Sequence, residues 1–374
     1  MKNNRKIDEI DTIISRWLER QYPFVAYRLP GSDEVVLFEA GKVVRFSIPD
    51  FVPENFKDSF VVAPFEIGKE AFAVFPGAES YVSALPDKPA FEMQKGQFVP
   101  PGSEDAREQY TRVFSQMKDA LDQGLVEKVV LARRMDVAGI NSEILPDVFW
   151  QLCLQYPDAF VYFFDHPELG RWMGASPETF LEKSGNHWQT VALAATRKED
   201  VHYEDWNLKE LEEQGLVSVF IDEILKTRGF SDFEKKGPVP FRAGNVIHLR
   251  TSYRFEAEET FSAGPLLAGF HPTPAVGGYP KDEAMQVIRR AEGFDRGFYS
   301  GFLGPVGEGG FHFFVNIRCM QLGQDHAVLY IGGGLTRDSR EEAEWEETRL
   351  KAGTLYSVLQ SVKQNHCNAS TRLR

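Results

Sequence analysis

The sequence is poor in cysteine. Cys153, Cys319 and Cys367 are the only three, and they lie far apart. So sparse and odd a set offers no disulfide framework and no CxxC metal spacing. A reducing, cytoplasmic setting is expected. Long apolar runs are missing as well. The longest, such as Phe160–Phe164, have the length of a core strand and fall far short of the roughly 18 residues of a membrane span. The opening segment MKNNRKIDEIDTII scatters charges and has no apolar centre, unlike a secretory signal. A basic excess is absent too. Forty-two Lys and Arg stand against 55 Asp and Glu, a formal net charge of −13. That excludes the broad basic surface of a non-specific nucleic-acid binder and the polybasic patch of a protein drawn to anionic lipid. No internal repeat and no low-complexity tract is present.

What is there suits a folded enzyme-sized chain. Of 374 residues, 43% are hydrophobic and 13% aromatic, enough for a substantial core. Ile7, Ile10, Ile14 and Leu18 recur at helical spacing and predict an opening amphipathic helix over about Ile7–Tyr22. Strands are predicted at Phe24–Leu29, Val35–Glu39, Val43–Ile48, Phe60–Pro64 and Ala71–Phe75. A loop rich in Pro, Lys and Gly follows over Ala84–Ser103. Ser103 then caps a helix through Leu121. Further strands are predicted at Lys128–Ala132, Ala159–Phe164, Thr179–Lys183, Trp188–Ala192, Ser300–Leu303, Phe311–Met320 and Ala327–Ile331. Helices are predicted at Asp205–Thr227, Asp282–Arg290 and from Arg340 to about Gln364, with a frayed polar tail beyond. The mixture lacks a strict βαβ rhythm, which favours an α+β fold with large antiparallel sheets over a doubly wound parallel one.

Several residues carry potential chemistry. Glu344 and Glu347 are three apart and share a helix face. Alone they read more readily as a solvated acidic first turn. Glu213 lies in a second acidic helix, and carboxylates from two helices aimed at one point would suit Mg²⁺, which keeps waters and takes one or two protein carboxylates. Gly332, Gly333 and Gly334 follow a strand, where they would form a tight turn or let backbone N–H groups approach an anion. Arg318 lies in an otherwise apolar strand and needs an anionic partner, either a bound carboxylate or a structural acid. Lys128 is either a solvated strand-start lysine or a buried base. Glu178 is either a turn residue or an acid held protonated in a dry pocket. His248 and His271 are ambiguous between ligand contacts and satisfied structural groups. Familiar hydrolase, zinc and calcium motifs are absent.

Ten blocks in order resemble the chorismate-utilising enzymes, and among them the isochorismate-forming branch. They are KVVLAR at Lys128–Arg133, GASPE at Gly174–Glu178, ALAATR at Ala192–Arg197, KELEEQGLV at Lys209–Val217 and HLRT at His248–Thr251. HPTPAVGG at His271–Gly278, FDRGFYSGFLG at Phe294–Gly304, IRC at Ile317–Cys319, GGGL at Gly332–Leu335 and EWEETRLKAG at Glu344–Gly353 complete the set. The resemblance covers about Ala106 to Leu359 and only loosely the first hundred residues. It implies one large unit over 1–374, with a less well covered part at 1–103, a catalytic region at 104–364 and a polar tail at 365–374. It also implies the architecture of aminodeoxychorismate synthase: antiparallel sheets packed as a sandwich with helices outside.

The activity implied is an isomerisation, in which water attacks C2 of chorismate and the C4 hydroxyl leaves, with Mg²⁺ present. By the same resemblance Lys128 matches the base that activates water, and Glu178 the acid that protonates the leaving hydroxyl. Glu213 and Glu347 match metal ligands, with Glu344 beside them. Arg318, Tyr299 and the Gly332 N–H match the clamp on the enolpyruvyl carboxylate, with Gly333 beside it as a substrate contact. Ala195, Thr196, His248, Ala275 and Lys351 match other substrate contacts. A monomer is expected, with no glutaminase subunit.

Two departures stand out. The family's usual LAGT reads Leu193-Ala194-Ala195-Thr196, which places a methyl where backbone nears the substrate and demands a different φ. The family's EH pair reads Glu213-Gln214. Anthranilate and aminodeoxychorismate synthases use ammonia from a glutaminase partner and typically lack lysine at the Lys128 position. The aminodeoxychorismate enzymes add a nucleophilic lysine where this chain has Ala194. Salicylate synthases, which go on to eliminate pyruvate, remain the close alternative. A non-catalytic chorismate sensor is the alternative of another class, and the retained Lys128 and Glu178 argue against it.

Overall fold

A computed structural model describes all residues except 1–2, 5–6, 86–99, 101–102, 198–204, 244–245, 259 and 373–374. The loop expected over Ala84–Ser103 therefore lies almost wholly outside the described residues. The described residues form 17 strands and seven α-helices. Every ladder is antiparallel except the two-residue pairing of Asn3–Asn4 with Tyr81–Val82. The expected α+β class with large antiparallel sheets stands.

Alternation along the strands creates the layers. In Phe160–His166, Val161 and Phe163 face one core while Phe160, Tyr162 and Phe164 face another, as the two-residue period of a strand requires. The second core draws its buried side chains from strands and their connections and from no helix. It is the sandwich interior, with Phe160 stacked on Phe314 at 4.2 Å between ring centroids. The other large cores each take in helices. Ile10, Ile14, Trp17 and Leu18 of the helix Ile7–Arg20 join residues of Leu145–Gln155 and the last helix on one flank. Leu208–Thr227 and Ala263–Phe270 cover another flank. Glu104–Asp122 and Lys281–Ala291 cover a third. Helices thus lie outside the sheets, as expected.

Local signals hold where they are strong. The Ser103 hydroxyl accepts from the Ala106 N–H at 3.2 Å. Asn207 and Glu210 close a reciprocal capping box at the head of Leu208–Thr227. Other expectations are corrected. Val35–Glu39 and Val43–Ile48 are one bent strand, Glu34–Phe46, with register shifts near Ala40. The predicted strand Phe311–Met320 is two, Gly310–Val315 and Cys319–Leu322. Arg318 sits between them at φ +50°, a left-handed conformation that interrupts a ladder. The glycine triplet is no turn: it lies inside the strand His326–Leu335. The last helix runs from Glu341 to Arg372, so the tail expected to fray continues the helix. The helix Leu145–Gln155 and the strands Gly170–Ser176, Glu234–Ala243 and Val246–Glu256 went unpredicted.

The three cysteines are free, with Cys153 and Cys319 buried and Cys367 exposed. Among the described residues no helix is long and apolar enough to cross a membrane.

Candidate active site

The site is built on one antiparallel ladder. Lys128–Ala138 pairs with His326–Leu335, setting Val130 opposite Gly334 and Ala132 opposite Gly332. Strand alternation then turns Lys128, Val130, Gly332 and Gly334 to one face, while Gly333 turns to the other with Val129 and Leu131. The two facing glycines leave room for side chains from elsewhere. A Cβ at Gly332 would collide with the Tyr299 hydroxyl, and one at Gly334 would come within 2.5 Å of a Glu213 oxygen and 3.0 Å of Lys128 Cε. Gly333 does not border the cavity, contrary to its expected substrate role. Its added Cβ would lie 4.0 Å from a Glu344 oxygen instead.

A buried ion pair fixes this ladder to the next segment. Arg296 donates through Nε to Glu292 at 2.8 Å, and through Nη1 and Nη2 to the Val276 and Val130 carbonyls at 2.8 and 2.7 Å. Glu292 in turn accepts from the Ala132 N–H at 2.8 Å. Sequence reasoning gave neither residue a role, although Arg296 lies in a block that had been singled out.

A small cavity of about 70 Å³ opens above the ladder. Ten of the expected residues line it: Glu178, Ala195, Thr196, Glu213, His248, Ala275, Tyr299, Arg318, Gly332 and Lys351. Lys128 lies beneath the wall, fully buried, with Nζ 3.1 Å from Glu213 Oε1. Val276 and Tyr330 also line the cavity and were not foreseen; Tyr330 stacks on Tyr299 at 5.4 Å.

Glu178 follows the strand Gly170–Ser176 and is held by its backbone, its carbonyl accepting from Val315 N–H at 2.9 Å. Its carboxyl is buried. Burial pushes its pKa from 4.5 to about 8, against the opposing pull of Lys128 and Lys351. The acid form therefore persists near neutral pH, and the reading as a simple turn residue falls.

Ala195 sits at φ +57° in a bulge of the strand His187–Arg197, where the register against Val246–Glu256 shifts between Ala194 and Arg197. A left-handed bulge position normally takes glycine. Here the methyl packs with Trp206, Ile247 and Leu249. The Ala195 carbonyl accepts from His248 Nδ1 at 2.8 Å, and Thr196 Oγ1 lies 3.2 Å from the same nitrogen. A carbonyl can only accept, so Nδ1 carries the proton and Nε2 is the free acceptor. Burial, then Arg318 and Lys351, lowers the His248 pKa to about 3. His271 is a satisfied structural group, its Nε2 2.9 Å from the Pro64 carbonyl.

Arg318 is buried, and burial lowers its pKa despite neighbouring Tyr156, Tyr299 and Glu347. Its Nη1 donates to Thr354 Oγ1 at 2.6 Å, and no carboxylate forms an ion pair with it among the described residues. The structural-acid alternative is thereby removed, and the remaining donors suit a ligand anion. Tyr299, raised to about 12 chiefly by burial, stays a neutral hydroxyl.

The acidic helices meet near Gly333 and Gly334. Glu210 is spent on Arg197, which donates to it at 2.8 and 2.6 Å. Glu213 is drawn to Lys128. Burial would raise its pKa, but Lys128, Lys351 and Lys209 outweigh that and keep it ionised. Gln214 turns away, donating to Thr251 at 2.6 Å and Ser218 at 3.1 Å. Glu347 pairs with Lys351 at 2.7 Å, whose ammonium also reaches the Gly332 carbonyl at 3.1 Å. Glu344 pairs with Lys209 at 2.5 Å, and its other oxygen is buried without a hydrogen-bond partner. Burial and then Glu347 raise the Glu344 pKa.

No three acidic, histidine or cysteine side chains among the described residues converge as they stand to hold a metal. The donor set still suits a hard cation: carboxylates from two helices, two of them repelling, and one orphaned buried oxygen.

Lysine ammonium groups, a protonated acid and a guanidinium with no carboxylate partner among the described residues surround one cavity. The chain belongs to the chorismate binding enzyme family, whose model matches residues 79–360. It is 31% identical over 246 residues to isochorismate synthase EntC of Escherichia coli K12, a match spanning 62% of each chain. It is 33% identical over 273 residues to the salicylate biosynthesis isochorismate synthase of Pseudomonas aeruginosa, covering 70% of this chain and 56% of that one. The structure of DhbC from Bacillus anthracis superposes with a TM-score of 0.76 at 25% identity, covering 93% of this chain and all of that one. Anthranilate synthase component I of Streptococcus pneumoniae shares the fold, with a TM-score of 0.65 at 18% identity over 88% of this chain and 90% of that one.

Proposed function

We propose that this chain is an isochorismate synthase, converting chorismate to isochorismate. The observation that carries the reading is Glu178, a wholly buried carboxyl held protonated near neutral pH beside a cavity under which a buried lysine lies. Lys128, as the general base, takes a proton from a water as its oxygen bonds to C2. The ring double bond shifts, and the C4–O bond breaks as Glu178 delivers its proton to the departing hydroxyl. One water enters and one leaves, so the reaction is an isomerisation.

Arg318 and Tyr299 hold the enolpyruvyl carboxylate, with the Gly332 backbone alongside. Thr196, His248 and Ala275 shape the ring pocket, and Lys351 adds positive charge for a dianion. The fixed His248 tautomer offers Nε2 as an acceptor for a substrate hydroxyl. Mg²⁺ held by Glu213, Glu344 and Glu347 would neutralise and orient the ring carboxylate.

The test is product analysis. The protein is incubated with chorismate, with and without Mg²⁺ and with and without ammonium. Isochorismate as the Mg²⁺-dependent, ammonium-independent product supports the reading. Salicylate with pyruvate, or an amino product, replaces it with another branch of the family. Unchanged chorismate returns the chain to a binding role.

A further inference from the structure

Three lysines and three carboxylates pair one to one at the junction of the acidic helices: Lys128 with Glu213, Lys209 with Glu344, and Lys351 with Glu347. Two of these lysines have work in the reaction proposed above. Lys209 does not. It lies one turn before Glu213 on the helix Leu208–Thr227 and does not border the substrate cavity. Burial would lower its pKa, yet Glu344, Glu213 and Glu347 together raise it. Its ammonium contacts Glu344 directly and feels the charge of Glu213 and Glu347 as well.

We infer that Lys209 is the internal counter-ion of the metal site, holding Glu344 in the metal-free protein and leaving it when a divalent cation arrives. The inference rests on the metal reading above. Glu344 is almost fully buried. Burial and Glu347 both push it toward the neutral acid, so its ionised form depends on a nearby cation. Lys209 supplies one through a single oxygen and leaves the other oxygen without a partner. A divalent ion could engage that oxygen at once, but the ammonium would then face the ion across one carboxylate. Like charges so close repel, and Lys209, 30% exposed and on a flexible four-carbon stem, can withdraw to water. The present divergence of the three carboxylates follows: each is turned toward its own lysine, so none is turned toward a shared centre. Metal binding is then an exchange of cations, and its affinity is set partly by the ion pair that must break.

The experiment is Mn²⁺ binding by calorimetry and electron paramagnetic resonance, without substrate, on the full chain and its Lys209→Met and Lys209→Arg variants. Removing the competing charge should tighten Mn²⁺ by roughly tenfold or more, the worth of one charge-assisted hydrogen bond. Lys209→Arg should give no tightening. Melting of metal-free Lys209→Met should fall below that of the unaltered chain, and Mn²⁺ should restore more of it than it adds to the unaltered chain. Equal or weaker Mn²⁺ binding by Lys209→Met overturns the inference and leaves the metal site intact. No Mn²⁺ binding by the unaltered chain at millimolar concentration overturns the metal reading itself. Should Lys209→Met fail to fold, the Mn²⁺-bound crystal structure of the unaltered chain decides. Lys209 beyond about 4 Å from Glu344 supports the exchange, and a retained pair overturns it.

Discussion

His248 Nδ1 donates to the carbonyl of Ala195 at 2.8 Å, and Ala195 is in the left-handed region at φ +57°. The hydrogen bond and the unusual backbone depend on each other. The carbonyl reaches the imidazole because the bulge turns it there, and the bulge is held because the imidazole answers it. Ser300 and Arg318, also at positive φ, lie at or beside the same cavity. Such strain gathers where surrounding structure over-determines the chain.

Two effects of similar size compete at Ala195. A left-handed non-glycine costs about 1–2 kcal/mol, and burying a methyl returns about 0.8 kcal/mol. Ala195→Gly should therefore leave stability within about 1 kcal/mol by urea titration. Ala195→Val, β-branched at positive φ, should lose about 2 kcal/mol or more. A tolerated valine would show that the bulge is not fixed.

Glu178→Gln should remove turnover while chorismate still binds, because an amide cannot deliver the same proton. Its stability profile should change as well. The carboxyl is protonated up to about pH 8 in the folded chain and only to about 4.5 when unfolded. Between those values the unfolded state holds fewer protons, so the folded state loses stability as pH rises, by at most about 1.4 kcal/mol per unit. The glutamine variant lacks this slope. It should match the unaltered chain near pH 5 and exceed it near pH 8. Parallel melting curves across that range would contradict the assignment.

Arg318→Met separates binding from folding. The guanidinium is buried with no acid paired to it among the described residues, so removing its charge should raise stability by about 1 kcal/mol. The same change should raise KM for chorismate by roughly tenfold or more, the loss of charged hydrogen bonds to a carboxylate. Steady-state kinetics and thermal melting on one sample check both signs.

Gly334→Ala and Gly333→Ala should behave differently though adjacent. An added methyl at Gly334 meets the Glu213 oxygen at 2.5 Å, and at Gly333 it meets nothing closer than 3.8 Å. The first should lower kcat by about tenfold or more, by pushing Glu213 and Lys128 apart. The second should cost much less. Equal losses would mean that Gly333 also takes part in the substrate site.

Much of this was legible in the sequence because it is local. The Ser103 cap, the amphipathic stripe from Ile10 to Leu18 and the acidic start of the last helix are written in neighbouring residues. The cavity lining was legible only through the ordered blocks, since nothing local brings Glu178, His248 and Lys351 together. What escaped depends on distant partners. Arg318 breaks a strand through its own φ, which an apolar run does not reveal. The glycine triplet left a turn and an anion contact both open because its reason, the side chains of Tyr299 and Glu213 pressing on the strand, arrives from other segments. Lys209 stood in a quoted block without a role, since its meaning comes from Glu344, 135 residues later.

The helix Glu341–Arg372 carries Glu344, Glu347, Lys351, Thr354 and Leu355 along one stripe. Over those positions it advances about 16 Å at 1.5 Å per residue. It therefore acts as a graduated ruler laid across the site, with the carboxylates of Glu344 and Glu347 at one mark and Thr354, the partner of Arg318, at another. Spacing between these two groups is encoded in a count of residues, not in loop conformation. A single residue inserted after Glu347 would turn the far marks by about 100°, so this stretch can exchange side chains in evolution but cannot change its length.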